Sequence, residues 1–172
     1  MILNRYERGR SFFGWLPHEA DLLEGIEGFC QENNITLGVF TAIGAVKSAR
    51  LAYYDQESRE YRGFAVDEPM EMVSCTGNIS LRDGQPIVHA HLALSDGEGR
   101  TISGHLMPGT PIFACEIFIQ ELLGEPLVRR HDEETGLPLW WRGSTHLWLV
   151  GVVECAGLIE RGEDVLLYQA LR

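Results

Sequence analysis

No stretch of this 172-residue chain approaches the ~20 apolar residues that a membrane-spanning helix needs. The opening MILNRYERGRSFF also lacks the continuous apolar core of a secretory leader. No linker, repeat or low-complexity tract divides the chain, so one domain around one core is expected. No C-x-x-C pair occurs. Cys30, Cys75, Cys115 and Cys155 lie far apart in largely apolar segments, which reads as buried free thiols in a reducing compartment rather than a disulfide framework. The cytoplasm is the expected location, with no membrane partner.

Positive charge is scarce as well. Fourteen Lys and Arg stand against 25 Asp and Glu, a net charge of −11, and such a surface repels a phosphate backbone. Arg8-Gly9-Arg10 would need a following proline to hold the extended shape of a minor-groove hook, and Ser11 stands there instead. There is no G-x-S-x-G elbow, H-E-x-x-H helix or phosphate loop. Nucleic acid is not an expected partner, and the familiar hydrolase and nucleotide signatures are excluded.

What the chain does have is a histidine-bearing hairpin. Between Pro86 and Ser95, Val88, Ala90, Leu92 and Leu94 alternate with His89, His91, Ala93 and Ser95, the period of a strand that buries one face. After the turn-rich Asp96-Gly97-Glu98-Gly99, the alternation resumes with Ile102, Gly104 and Leu106 against Thr101, Ser103 and His105. If both apolar faces point to one core, facing residues have numbers of even sum, because a one-residue slip would turn a strand inside out. A loop from Asp96 to Arg100 then sets Leu94 opposite Ile102 and His91 opposite His105, with His89 diagonal to His105. Opposed Cβ atoms lie roughly 4.5 to 5.5 Å apart and diagonal ones about 7 to 8 Å, so three imidazoles can converge on one ion. Three neutral nitrogens suit Zn2+ with a fourth position open. A metal-free histidine cluster at a subunit interface is the other reading.

Elsewhere the pattern is strand-rich. Met1 to Trp15 reads as extended. A helix is expected to start at Pro17, with acids in its first turn and an apolar stripe of Leu22, Leu23, Ile26, Phe29 and Cys30, and to stop at Asn33-Asn34. Strands follow at Ile35 to Ile43 and Ala45 to Tyr54, with Gly44 as turn or bulge, then at Tyr61 to Val66 and Met70 to Leu81. Serial antiparallel pairing is the simplest topology. In Thr110 to Leu122, Phe113, Cys115, Ile117 and Ile119 share one face, leaving Glu116 on the other to reach solvent, a cation or a histidine N–H. Arg129 to Gly136 reads as a solvated loop, and the segment after Trp140 has no settled character.

Together these residues resemble the plants-and-prokaryotes-conserved (PPC) domain in its free-standing prokaryotic form. The resemblance rests on Glu19-Ala20-Asp21-Leu22, Ala42-Ile43-Gly44-Ala45-Val46, Ala49-Arg50-Leu51-Ala52-Tyr53-Tyr54-Asp55 and Glu71-Met72-Val73-Ser74-Cys75-Thr76-Gly77-Asn78-Ile79-Ser80. Its strongest parts are His89-Ala90-His91 and Gly104-His105-Leu106, with Arg130, Asp132 and Thr135-Gly136-Leu137 as a late motif. It implies an α+β domain over residues 1–142, a mainly antiparallel sheet with a flanking helix, assembled as a homotrimer and holding a metal on His89, His91 and His105. Residues 143–172 would be a C-terminal extension packed on the same domain. In plants the domain follows a DNA-binding hook, which is missing here.

Two functions fit. One is a zinc-dependent hydrolase acting on a small molecule at the metal, with Glu71 and Glu116 as the candidate catalytic carboxylates. The other is a non-catalytic trimeric interaction or regulatory module, with DNA association only by family analogy.

Overall fold

Short alternating runs turn most of the chain into strands. In a computed structural model, which describes residues 3–141, the elements are β1 (Glu7–Leu16), α1 (Leu22–Glu32), β2 (Gly38–Val46), β3 (Ala49–Asp55), β4 (Glu60–Val66), β5 (Met70–Arg82), β6 (Gln85–Ser95), β7 (Thr101–Leu106), β8 (Ile112–Leu123), β9 (Arg129–His131) and β10 (Pro138–Trp140). The first eight strands form one antiparallel sheet in the order β1-β8-β2-β5-β6-β7-β3-β4, and β9 pairs with β10 in a separate hairpin. The α+β class is as expected; the serial pairing is not. Within the eight-stranded sheet only β3-β4, β5-β6 and β6-β7 follow chain order, because the long strands β5 and β8 pair along both edges of β2. That displaces the β3-β4 hairpin to the far side of β7. β4 is exposed along its length except at Val66, a pattern that only an edge strand tolerates.

Helix α1 covers one face. Leu22, Ile26 and Cys30 are fully buried in one core cluster with Phe40, Cys75, Ala90, Leu92 and Ile117, and burial of the two larger aliphatic side chains contributes about 1.5 to 3 kcal/mol each. The helix starts five residues later than expected. Glu19 is left-handed at φ 70, which stops a helix from running through Pro17 to Ala20. Asp21 is the cap, its Oδ1 accepting from the Glu24 amide at 2.9 Å. Its Oδ2 accepts from Gly109 and Thr110 at 2.7 and 2.6 Å, so one carboxylate fixes both the helix start and the turn after β7. Asn33 ends the helix, with Asn34 left-handed behind it.

Two bulges reset expected faces. Gly44 does not separate two strands: β2 runs through it to Val46, and the break comes at Lys47-Ser48. At φ +148 it sits opposite a bulge whose extra residue lies in β5, between Met72 and Cys75, and a Cβ there would collide with the Ala114 carbonyl. On β8 the register slips where Ala45 faces Ala114 and Val46 faces Ile112, which turns Phe113 out to 60% exposure instead of joining Cys115, Ile117 and Ile119 inside. Arg8-Gly9-Arg10 is structural. Arg10 holds Glu121 through Nε and Nη2, both at 2.7 Å, and also bonds the Asn33 carbonyl, tying β1 to β8 and to the helix end.

Cys30, Cys75 and Cys115 are buried free thiols, with burial pushing them up to about 12, 12 and 11 respectively. Cys155 and the expected extension over 143–172 lie outside the described residues. No helix among the described residues is long and apolar enough to cross a membrane.

Candidate metal centre

The histidine strands are held in register from both ends. Asp83 and Gly84, left-handed at φ 52 and 79, make the two-residue turn between β5 and β6, which places Asn78 opposite His89 and Thr76 opposite His91. At the other end, the Asp96 carboxylate accepts from the Glu98 and Arg100 amides at 2.9 Å and from Arg100 Nε at 2.6 Å. His91 then faces His105, and Leu94 faces Ile102. Both pairs are those that even-sum parity requires. Helix α1 steadies β6 as well, since Glu27 Oε1 accepts from the Val88 amide at 3.0 Å.

All three rings stand on the face away from α1. One row of facing residues crosses the sheet from Phe13 through Phe118, Thr41, Thr76, His91 and His105 to Ala52. Ring centroids are 5.0 Å apart for His89 and His105, 5.3 Å for His89 and His91, and 5.6 Å for His91 and His105. One nitrogen from each ring lies within 4.8 Å of the others, so the group can hold a metal ion. His89 and His105 are half-buried and His91 is exposed, leaving one open approach.

The donors fit a cation. Nδ1 of His105 is buried without a hydrogen-bond partner, so the ring has a nitrogen that no protein group engages. The rings also favour the neutral form that ligates. Burial, then the Arg129 charge, then the other two rings push His89 down to about 4. Burial, then His91, then Arg129 lower His105.

Glu71 and Glu116 do not join this group. Glu71 is exposed opposite Ser95, four residues along β6 from His91, or about 13 Å at strand rise. Glu116 is exposed between Trp15 and Ile43, three strands and about 14 Å across the sheet from β6. The neighbours are instead Tyr61, whose ring centroid lies 4.8 Å from that of His105, and Arg129, whose Nη2 lies 3.4 Å from His89 Nδ1.

Arg129 corrects the reading of residues 129–136 as a solvated loop. It is 8% exposed and donates to Ser80 Oγ at 2.9 Å, Asn78 Oδ1 at 2.8 Å and the Pro138 carbonyl at 2.9 Å. The β9-β10 hairpin carries it there, docked further by the Tyr54 hydroxyl donating to the Thr135 carbonyl at 2.7 Å. A polar, charged sequence hid this, because its pairing is made with β5 some fifty residues earlier.

The depressed ring at position 89 has a signed consequence for the metal-free protein. Unfolded, a histidine protonates near 6.5; folded, His89 resists until about 4. As pH falls through that window only the unfolded state gains the proton, so stability is lost progressively. Between about pH 6.5 and 5, above most carboxylate titration, the melting temperature is expected to fall more steeply in wild type than in His89→Gln. Equal slopes in chelator-treated samples would contradict the lowered value.

The fold and centre define an α+β sheet domain with a three-histidine face. Residues 4–123 match the Plants and Prokaryotes Conserved (PCC) domain, and the chain belongs to that family. Among solved structures, it is similar to a metal-containing protein from Archaeoglobus fulgidus, with 41% identity and a TM-score of 0.78, over 83% of this chain and 100% of that one. A plant- and prokaryote-conserved (PPC) protein from Pyrococcus horikoshii is 34% identical with a TM-score of 0.78, over 84% of this chain and 100% of that one. Among curated proteins, the bifunctional protein GlmU of Synechococcus sp. (strain JA-3-3Ab) is 33% identical over 118 residues, which are 67% of this chain. The match spans only 18% of that protein's length.

Proposed function

We propose that the protein is a zinc-binding homotrimer whose histidine centre takes a small-molecule ligand. The observation that carries this is the convergence of His89, His91 and His105, one ring nitrogen of each lying within 4.8 Å of the others. The metal-containing relative from Archaeoglobus fulgidus supports it. Three neutral imidazoles would hold zinc, which in such surroundings acidifies a coordinated water to a pKa of about 7 and so makes hydrolysis accessible at neutral pH. The protein's own part is to keep the rings neutral by burial, to fix them on two registered strands, and to leave the exposed His91 side open.

Self-association is supported by the same face of the sheet. Phe13 and Trp15 are about four-fifths exposed, and Val39 and Ile43 about half. Together they form an uncovered apolar area beside the row that carries the histidines. The reading as a non-catalytic module is favoured by one observation, the placing of Glu71 and Glu116 far from the rings. DNA association enters the module reading by family analogy alone, and the Arg8-Gly9-Arg10 stretch adds nothing to it, since Arg10 is committed to Glu121.

Metal analysis with light scattering tests the proposal. Roughly one zinc per chain and a trimer mass are expected; a monomer without metal refutes it. Chelation then separates the two readings. An intact trimer that loses turnover on an ester and amide panel supports hydrolysis, whereas an assembly that melts earlier and shows no turnover supports the module.

A further inference from the structure

A cavity of about 650 Å³ opens beside the histidine group, within the usual size range for small-molecule sites. Tyr61 and Arg129 line it, and these are the same two side chains that touch His105 and His89. Its charge runs against that of the molecule. In a chain of net charge −11, four guanidiniums, those of Arg59, Arg82, Arg129 and Arg130, line this one cavity, with Asp83 as the single carboxylate among its walls. Asp83 does little to neutralise Arg82: its side chain is 93% exposed and lies 3.9 Å from Arg82 Nε.

Arg129 is the decisive wall. Its hydrogen-bond partners among the described residues are a hydroxyl, an amide oxygen, a carbonyl and a neutral imidazole, and its cationic face lies over the Trp140 ring. None of these carries negative charge, so a buried cation is held in place but not neutralised. Such an arrangement is costly unless an anion completes it, and its field reaches into the cavity. Arg59 is similarly steadied by a neutral group, donating to the Glu133 carbonyl at 3.2 Å. Guanidinium forks match phosphate oxygens two at a time, and several of them around one space suit a multiply charged group better than a single carboxylate.

We infer that this cavity binds the phosphate group of a small organic phosphate and presents the rest of that molecule to the histidine centre. The presentation rests on the metal reading above; the anion site rests on Arg59, Arg82 and Arg129. Tyr54 and Tyr61, with ring centroids 5.0 Å apart, supply a flat wall for the organic part.

The test uses chelator-treated protein, so that the probe finds no metal to bind. In calorimetric titration, pyrophosphate is expected to bind wild type at submillimolar concentration, and malonate at least about tenfold more weakly. The double variant Arg59→Ala/Arg82→Ala changes two exposed side chains, so its melting temperature should stay at the wild-type value while pyrophosphate affinity falls at least about tenfold. Zinc uptake by that variant should be unchanged. Absence of pyrophosphate binding to wild type, or equal binding to the double variant, overturns the inference whatever zinc does. Equal affinity for malonate overturns the assignment to phosphate. Pyrophosphate binding by a wild type that takes up no zinc supports the anion site and refutes the metal reading instead.

Discussion

His105→Ala is expected to lower zinc affinity by more than about a hundredfold, while the domain stays folded. Losing an outer partner of a metal ligand already costs about 10- to 100-fold, and a direct ligand is worth more than its support. His105 is the informative choice because it alone comes from β7, facing His91 across the hairpin and standing diagonal to His89. Without it the remaining pair sits on one strand and cannot enclose an ion from a second direction. Removal should be mild for the fold. The Nδ1 atom has no partner to leave unsatisfied, and the contact with the Tyr61 ring contributes about 0.5 to 1.5 kcal/mol. The control is His18→Ala, whose ring is half-exposed beside Phe113 and Glu19 and belongs to no such group. Competition against a chelator of known affinity reads the difference. Wild-type zinc affinity in His105→Ala would remove the centre.

The hairpin that carries this argument was legible in the sequence because its information is local. Alternation gives each strand its faces, Asp96 to Arg100 gives the loop, and parity then leaves one arrangement in which Leu94 meets Ile102 and His91 meets His105. The order of strands was not legible, since nothing in the alternation of β2 says that both its neighbours, β5 and β8, lie far along the chain. Bulges were half-visible. Gly44 marked the place of one, although its extra residue lies in the facing strand β5, whereas the slip beside Phe113 follows from pairing with β2 and has no glycine to announce it. Glu116 drew attention as a carboxylate among apolar neighbours, yet the face it shares with the histidines is wide, and a shared face does not set distance across strands. Arg129 was hidden for the opposite reason: a charged, turn-like segment gives no sign that one of its guanidiniums is taken inside.

That guanidinium gives the second large effect. Arg129→Met keeps the length of an apolar stem and removes the fork, leaving the fully buried Ser80 hydroxyl and the Asn78 amide oxygen without their donor. Each such loss costs about 1 to 3 kcal/mol, partly offset because a buried charge no longer needs to be desolvated. A net loss of about 2 to 4 kcal/mol in urea unfolding is expected. It should be accompanied by faster proteolysis within 125–140, since Arg129 is the buried anchor of the hairpin, and its other ties include Tyr54 to Thr135, Arg59 to the Glu133 carbonyl and the Leu81 to Leu127 backbone bond. Arg129→Lys separates geometry from charge. One ammonium cannot reach Ser80, Asn78 and Pro138 together, so stability should fall nearly as far. The lysine keeps a positive charge beside His89, so in metal-free protein the ring should stay close to its wild-type value of about 4. In Arg129→Met it should titrate higher, still below 6.5 because burial, the larger cause, persists. A methionine variant as stable as wild type, with an unmoved His89 in NMR titration, would show that the guanidinium neither anchors the hairpin nor acts on the centre.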